Sequence, residues 1–133
     1  LDVGEVRIGV ATTPRGVHLA QPRGVIDNNE DVLQSIKDLI ESEQVTTLVV
    51  GLPRGLQGQE TDQTGYVRNF VAKLQKEIST PIVLQDEALT SHQAEEELES
   101  RGKSYVKGDI DALAACYILE DYLKSLPTVV ASE

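Results

Sequence analysis

A chain of 133 residues fits one ordinary domain with a single core, and 40% hydrophobic residues are too many for a disordered segment. Cys116 is the only cysteine, which excludes an internal disulfide, and no apolar run approaches the roughly 18 residues that span a bilayer. The net charge of −10 disfavours indiscriminate binding to nucleic acid, which relies on a basic surface.

The distribution of charge matters more than its sum. Arg15, Arg23, Arg54, Arg101, Lys103 and Lys107 fall in apparent loops, whereas Glu95, Glu96, Glu97 and Glu99 crowd one helical stretch, so a basic rim around an acidic centre stays open. With no signal-peptide pattern and a lone cysteine in an apolar stretch, the expectation is a soluble cytoplasmic protein. The chain starts at Leu1 and contains no Met, the mark of a fragment or processed chain.

Leu1-Asp2-Val3 reads as the end of a strand that turns at Gly4, and the alternation from Val6 to Ala11 predicts a second strand. A third extended segment is expected over Val17 to Ile26, at an edge because of Pro22. Asn29 suits an N-cap, with Glu30 and Asp31 at the positive end of a helix whose apolar face is Val32, Ile36, Leu39 and Ile40. Leu48-Val49-Val50, closed by Gly51, has the continuous apolar character of a strand buried on both faces. The segment Gly51 to Gly58 is loop-like, and a second helix carries Val67, Phe70, Val71 and Leu74 on one side. Ile82-Val83-Leu84 predicts another short buried strand, and Thr90 with Gln93 suggests a capping box for a third helix ending at Gly102. A last helix is expected from about Asp109 to Leu123, apolar nearly all round in its first half, followed by a frayed tail beyond Pro127. An antiparallel start followed by alternating helices and buried strands implies an α/β fold: an RNase H-like mixed five-stranded sheet flanked by helices, with one domain over 1–126 and a flexible tail over 127–133.

Three acidic positions lie at strand ends or helix starts, where α/β sheets gather their chemistry. Asp2 stands between Leu1 and Val3 in a strand, where a carboxylate is tolerated only if paired, hydrogen-bonded or bound to metal. Asp86 and Glu87 follow the strand Ile82 to Leu84, and adjacent extended residues point to opposite faces, so one of them faces the site. Asp109 and Asp111 are about 200° apart on a helix, which suits Asp109 as the cap and Asp111 as the inward group beside Ala114 and Ala115. Converging carboxylates repel unless neutralised, and hard oxygen donors favour Mg²⁺ or Mn²⁺, two ions being the arrangement that cleaves a phosphodiester. A zinc site is not indicated, because His18 and His92 are far apart and the one cysteine lies in an apolar helix. The Gly51 to Gly58 loop lacks the lysine of a phosphate-cradling P-loop, and Ser91 with His92 has no triad context.

Together these segments resemble a family. Leu1-Asp2-Val3-Gly4 with Arg7-Ile8-Gly9-Val10-Ala11, then Gln21-Pro22, Val49-Val50-Gly51-Leu52-Pro53 with Gly58, Asp86-Glu87 with Leu89-Thr90-Ser91, and Lys107-Gly108 before Ile110-Asp111-Ala112 are similar to the YqgF/RuvX motifs, in family order over nearly the whole chain. The resemblance implies an RNase H-like fold and a nuclease that matures the 5′ end of pre-16S ribosomal RNA, a family also described as Holliday junction resolvases. Carried over by motif, the catalytic and metal-holding acids are Asp2, Glu87 and Asp111, with Asp86, Asp109, Arg7 and Lys107 as secondary candidates. The chain departs from the family pattern in having no further residues before Leu1, in Ala88 where an Arg commonly follows the acidic pair, and in Arg54-Gly55-Leu56-Gln57 after Pro53. The implied partners are structured RNA or branched DNA, with no membrane, acted on by a monomer or homodimer. Two rival readings are a DNA junction resolvase, which uses the same acids, and a non-catalytic nucleic-acid or ribosome-assembly module. An ATPase of the actin and sugar-kinase type is set aside, because it needs two such domains.

Overall fold

A computed structural model describes residues 1–14, 16–17, 19–87 and 107–126. The expected helix opening at Thr90, both histidines, Arg15, Arg101, Lys103 and the tail over 127–133 lie outside the described residues. In chain order the elements are β1 (Asp2–Val3), β2 (Arg7–Thr12), β3 (Gln21–Asp27), α1 (Val32–Ser42), β4 (Leu48–Pro53), α2 (Asp62–Glu77), β5 (Ile82–Glu87) and α3 (Lys107–Ser125).

The strands form an antiparallel sheet β1-β2-β3 and a parallel pair β4-β5, not the single five-stranded sheet expected. The reason is the narrowness of the seam. Among the described residues only Leu1 hydrogen-bonds across the two sheets, donating its N–H to the Val49 carbonyl at 2.7 Å and accepting from the Gly51 N–H at 3.0 Å. One residue's pair of bonds sets β1 beside β4, so the strands lie in the order β3-β2-β1-β4-β5, but it does not make a ladder.

Period-two alternation then assigns the faces. Leu1, Val3, Ile8, Val10, Leu48, Val50 and Leu52 pack with Val32 and Ile36 of α1 and with Val67, Phe70, Val71 and Leu74 of α2. The intervening positions belong to the face covered by α3, which buries Ala112, Ala114, Ala115, Cys116 and Ile118. Two glycines let α3 come so close. A Cβ on Gly9 would stand 2.0 Å from the Asp111 carbonyl oxygen, and one on Gly51 would stand 2.4 Å from Ile118 Cδ1. The expected covering of the sheet on both faces is therefore observed.

Several boundaries differ from the sequence reading. β3 begins at Gln21 rather than Val17, and Pro22 is accommodated opposite Ala11 just beyond a register shift in β2. α1 starts after Asp31, because the Asn29 carboxamide oxygen accepts the Asp31 N–H in a turn instead of capping the helix. β4 runs through Gly51 to Pro53. β5 extends to Glu87 and is only half-buried, with Leu84 37% exposed, because among the described residues it has a neighbour on one side alone. Among the described residues α3 runs from Lys107, so Asp109 is an exposed residue within the helix rather than its cap.

α2 is opened by a capping box that the sequence pattern hides, since its third position is Thr64 rather than Glu or Gln. The Thr64 hydroxyl is fully buried, donates to the Pro53 carbonyl and accepts the Thr61 N–H. Thr64→Val is expected to cost about 1–3 kcal/mol in urea denaturation, because it orphans these partners at the end of β4. No helix among the described residues is long and apolar enough to cross a membrane.

Candidate active site

The alternation that buries Leu1 and Val3 against α1 and α2 turns Asp2 to the opposite face, towards α3. Its register partner is Gly9, the residue over which the backbone of Asp111 passes. Asp2 and Asp111 are thereby brought to the same place from opposite ends of the chain. Burial, reinforced by the negative charge of Asp111, pushes the Asp2 carboxyl up to about 6. Arg7, two residues before Gly9 and on its face of β2, donates from Nε to Asp111 Oδ2 at 2.9 Å. The secondary candidate Arg7 is therefore an internal counter-charge that holds one oxygen of Asp111.

Register also decides between Asp86 and Glu87. Leu52 pairs with Asp86 and Pro53 with Glu87, and paired residues share a face, so Glu87 lies on the α3 side with Gly51. Asp86 is on the other face, where its carboxylate is 67% exposed and pairs with Arg54 at 3.3 Å. Glu87 Oε1 is buried with no hydrogen-bond partner among the described residues. Burial, then a hydrogen bond with Asp121 and the charges of Asp121 and Asp86, push Glu87 up to about 8. Asp121 was not singled out from the sequence. It lies three residues past Ile118 on the inner side of α3, a position that helical spacing from Asp111 reveals once the inner face is known.

Asp2, Glu87 and Asp111 line one cleft of about 300 Å³, together with Arg54 and Gln63. Gln63 Nε2 donates to the Val3 carbonyl at 3.1 Å and so fixes the wall at the start of α2. The three acids share this cleft without closing into a cage: among the described residues no three acidic, His or Cys side chains are grouped tightly enough to hold a metal ion. Glu87 leans towards Asp121, which stands about 15 Å along α3 from Asp111 by helical rise. Of the remaining candidates, Asp109 is exposed on α3, and the side chain of Lys107 lies outside the described residues.

The donor chemistry suits a hard divalent cation. All three groups offer oxygen, one buried oxygen lacks a partner, and Asp2 is a carboxylate whose charged form is destabilised where it stands.

A profile of the RuvX family, described as "Holliday junction resolvase", matches residues 1–125. The chain belongs to the RuvX family. A protein of Sulfurihydrogenibium sp. (strain YO3AOP1) is 41% identical over 129 residues, covering 95% of this chain and 88% of that protein. A protein of Rickettsia typhi is 37% identical over 130 residues (95% and 83%), and one of Chloroflexus aurantiacus is 38% identical over 127 residues (92% and 83%). Each bears the name "Putative pre-16S rRNA nuclease". The RuvX match takes in all three acids of the cleft and ends at the last residue of α3.

Proposed function

We propose that this RuvX chain is a metal-dependent endonuclease that cleaves phosphodiester bonds of RNA and acts in the cytoplasm on the 5′ end of pre-16S ribosomal RNA. The observation that carries the reading is the common cleft of Asp2, Glu87 and Asp111, set where β1, the end of β5 and the start of α3 meet. The names borne by the relatives support the RNA substrate. Asp2, Glu87 and Asp111 would hold Mg²⁺ or Mn²⁺, which supplies a water of lowered pKa and charge stabilisation of the leaving oxygen.

The chain's own residues prepare that chemistry. Arg7 fixes the Asp111 carboxylate in one orientation through its Nε contact. The floor of the cleft, formed by Gly51 and Ile118, is apolar and strengthens the electrostatic interactions within it. Burial and the Asp121 contact push the Glu87 carboxyl up to about 8, so it would have to give up its proton to serve as a ligand and metal binding would strengthen as pH rises.

The test is cleavage of a pre-16S 5′-leader RNA and of a four-way DNA junction with Mg²⁺ or Mn²⁺. The wild type is expected to cut the RNA, and Asp111→Asn to lower the rate about 10²-fold or more. Cutting of the junction alone, by a dimer, would replace the RNA reading with the resolvase activity in the family description. Cutting of neither substrate would leave a non-catalytic module.

A further inference from the structure

The catalytic cleft opens beside a second hollow of about 430 Å³, and Arg54 and Glu87 line both. The loop that leaves β4 forms its wall: Gly55, Leu56 and Gly58 line it with Asp86. Two features of this loop serve neither the core nor the three acids.

The first is the way Arg54 is held. Its guanidinium reaches Asp86 Oδ1 at 3.3 Å and Glu60 Oε2 at 3.4 Å, both exposed carboxylates. Charge-assisted bonds at full strength are about 2.7–2.9 Å, the length of the Arg7–Asp111 and Arg68–Glu60 contacts at 2.9 Å. Arg54 is thus a cation at the mouth of an acidic cleft, shared between two exposed carboxylates by three contacts longer than the charge-assisted optimum, with its own side chain 24% exposed. Glu60 already has Arg68 as a closer partner and loses little if Arg54 turns away. A phosphate accepting two N–H bonds from the planar guanidinium offers a better partner than either.

The second is Leu56, 78% exposed, which lines the same hollow. Gly58 closes the loop with φ +81, a conformation that presents the segment as a tight turn. A cation adjoining an apolar side chain, over a hollow large enough for one nucleotide, fits a sugar-phosphate with its base unstacked.

We propose that the loop from Arg54 to Gly58 binds the nucleotide next to the scissile phosphodiester, Arg54 holding its phosphate and Leu56 packing against its base. This rests on the nuclease reading above and names the part of the chain that positions the strand for it. Recognition of this kind is largely independent of base sequence, because phosphates carry no sequence information.

The experiment reads binding and cleavage separately. Fluorescence anisotropy with a labelled single-stranded pre-16S leader RNA is measured in Ca²⁺, and cleavage kinetics of the same RNA in Mg²⁺. Arg54→Gln is expected to weaken binding about tenfold and to reduce the slope of log K against log salt by about one. It is also expected to raise KM with kcat little changed, since the contact is made equally before and during reaction. Arg54→Lys should recover part of the affinity, and Leu56→Ser should lose about fivefold with the salt slope intact. Arg68→Gln removes the same charge outside both hollows and should bind as wild type. Wild-type cleavage with Arg54→Gln binding within twofold of wild type and an unchanged slope would overturn the loop site and leave the nuclease reading standing. Binding that depends on Arg54 without cleavage would sink the nuclease reading and keep the site. A wild type that neither binds nor cuts would overturn both.

Discussion

Asp2→Asn is expected to make the metal-free protein more stable at pH 7 by about 3 kcal/mol while abolishing the proposed metal-dependent cleavage. The folded-state pKa of Asp2, about 6, lies above the ordinary 3.8 because burial and the charge of Asp111 disfavour the anion. Between pH 3.8 and 6 the folded protein holds a proton that the unfolded chain has released. Stability therefore falls as pH rises through this window and stays lowered above it. The neutral amide escapes that penalty, so the two proteins should have equal stability near pH 3.5 and differ fully by pH 7. Urea denaturation in EDTA at the two pH values checks this. On the proposed metal reading, Mg²⁺ should then stabilise the wild type by binding its folded state and leave Asp2→Asn unmoved, because the amide no longer offers an anionic ligand. A wild type no less stable than Asp2→Asn at pH 7 would show that the carboxylate is not destabilised where it stands.

Gly9→Val is expected to be the most damaging single change in the sheet, costing about 3 kcal/mol or more. A Cβ at this position meets the Asp111 carbonyl oxygen at 2.0 Å, its carbon at 2.3 Å and the Ala112 nitrogen at 3.0 Å. All three are backbone atoms in a helical turn, and none can rotate away. The helix must lift from β2, which breaks the Arg7–Asp111 contact and carries Asp111 away from Asp2. Thermal unfolding and cleavage should both fail together. Gly51→Ala provides the contrast, because its Cβ meets the far end of the Ile118 side chain at 2.4 Å, which can change rotamer. It should cost about 1 kcal/mol and keep measurable cleavage.

The sequence alone determined the order of strands and helices among the described residues, the apolar faces of α1 and α2, and the two-sided burial of β4, although it read Gly51 to Pro53 as loop and extended β3 back to Val17. These follow from periodicity, which is local and survives in a single chain. It also determined which acids to consider, because a carboxylate within an apolar strand or at the head of a buried helix is conspicuous without any contact known. The family motifs added the choice of Glu87 over Asp86, which the residues themselves had left open. Element boundaries were less legible: the Asn29 turn and the extension of β5 each depend on hydrogen bonds to partners that sequence does not name.

Only the tertiary structure decided how the acids relate. The parallel register that puts Pro53 opposite Glu87 is a contact across more than thirty residues of chain, and it places Glu87 on the α3 side. The Arg7–Asp111 pair and the approach of Glu87 to Asp121 join segments whose separation in sequence carries no trace of their separation in space. The same is true of the seam at Leu1, where two hydrogen bonds set β1 beside β4 without forming a ladder. Periodicity records which way each side chain faces its own element. Which side chains then face one another is set by packing between elements, and that is fixed here by the two glycines under α3.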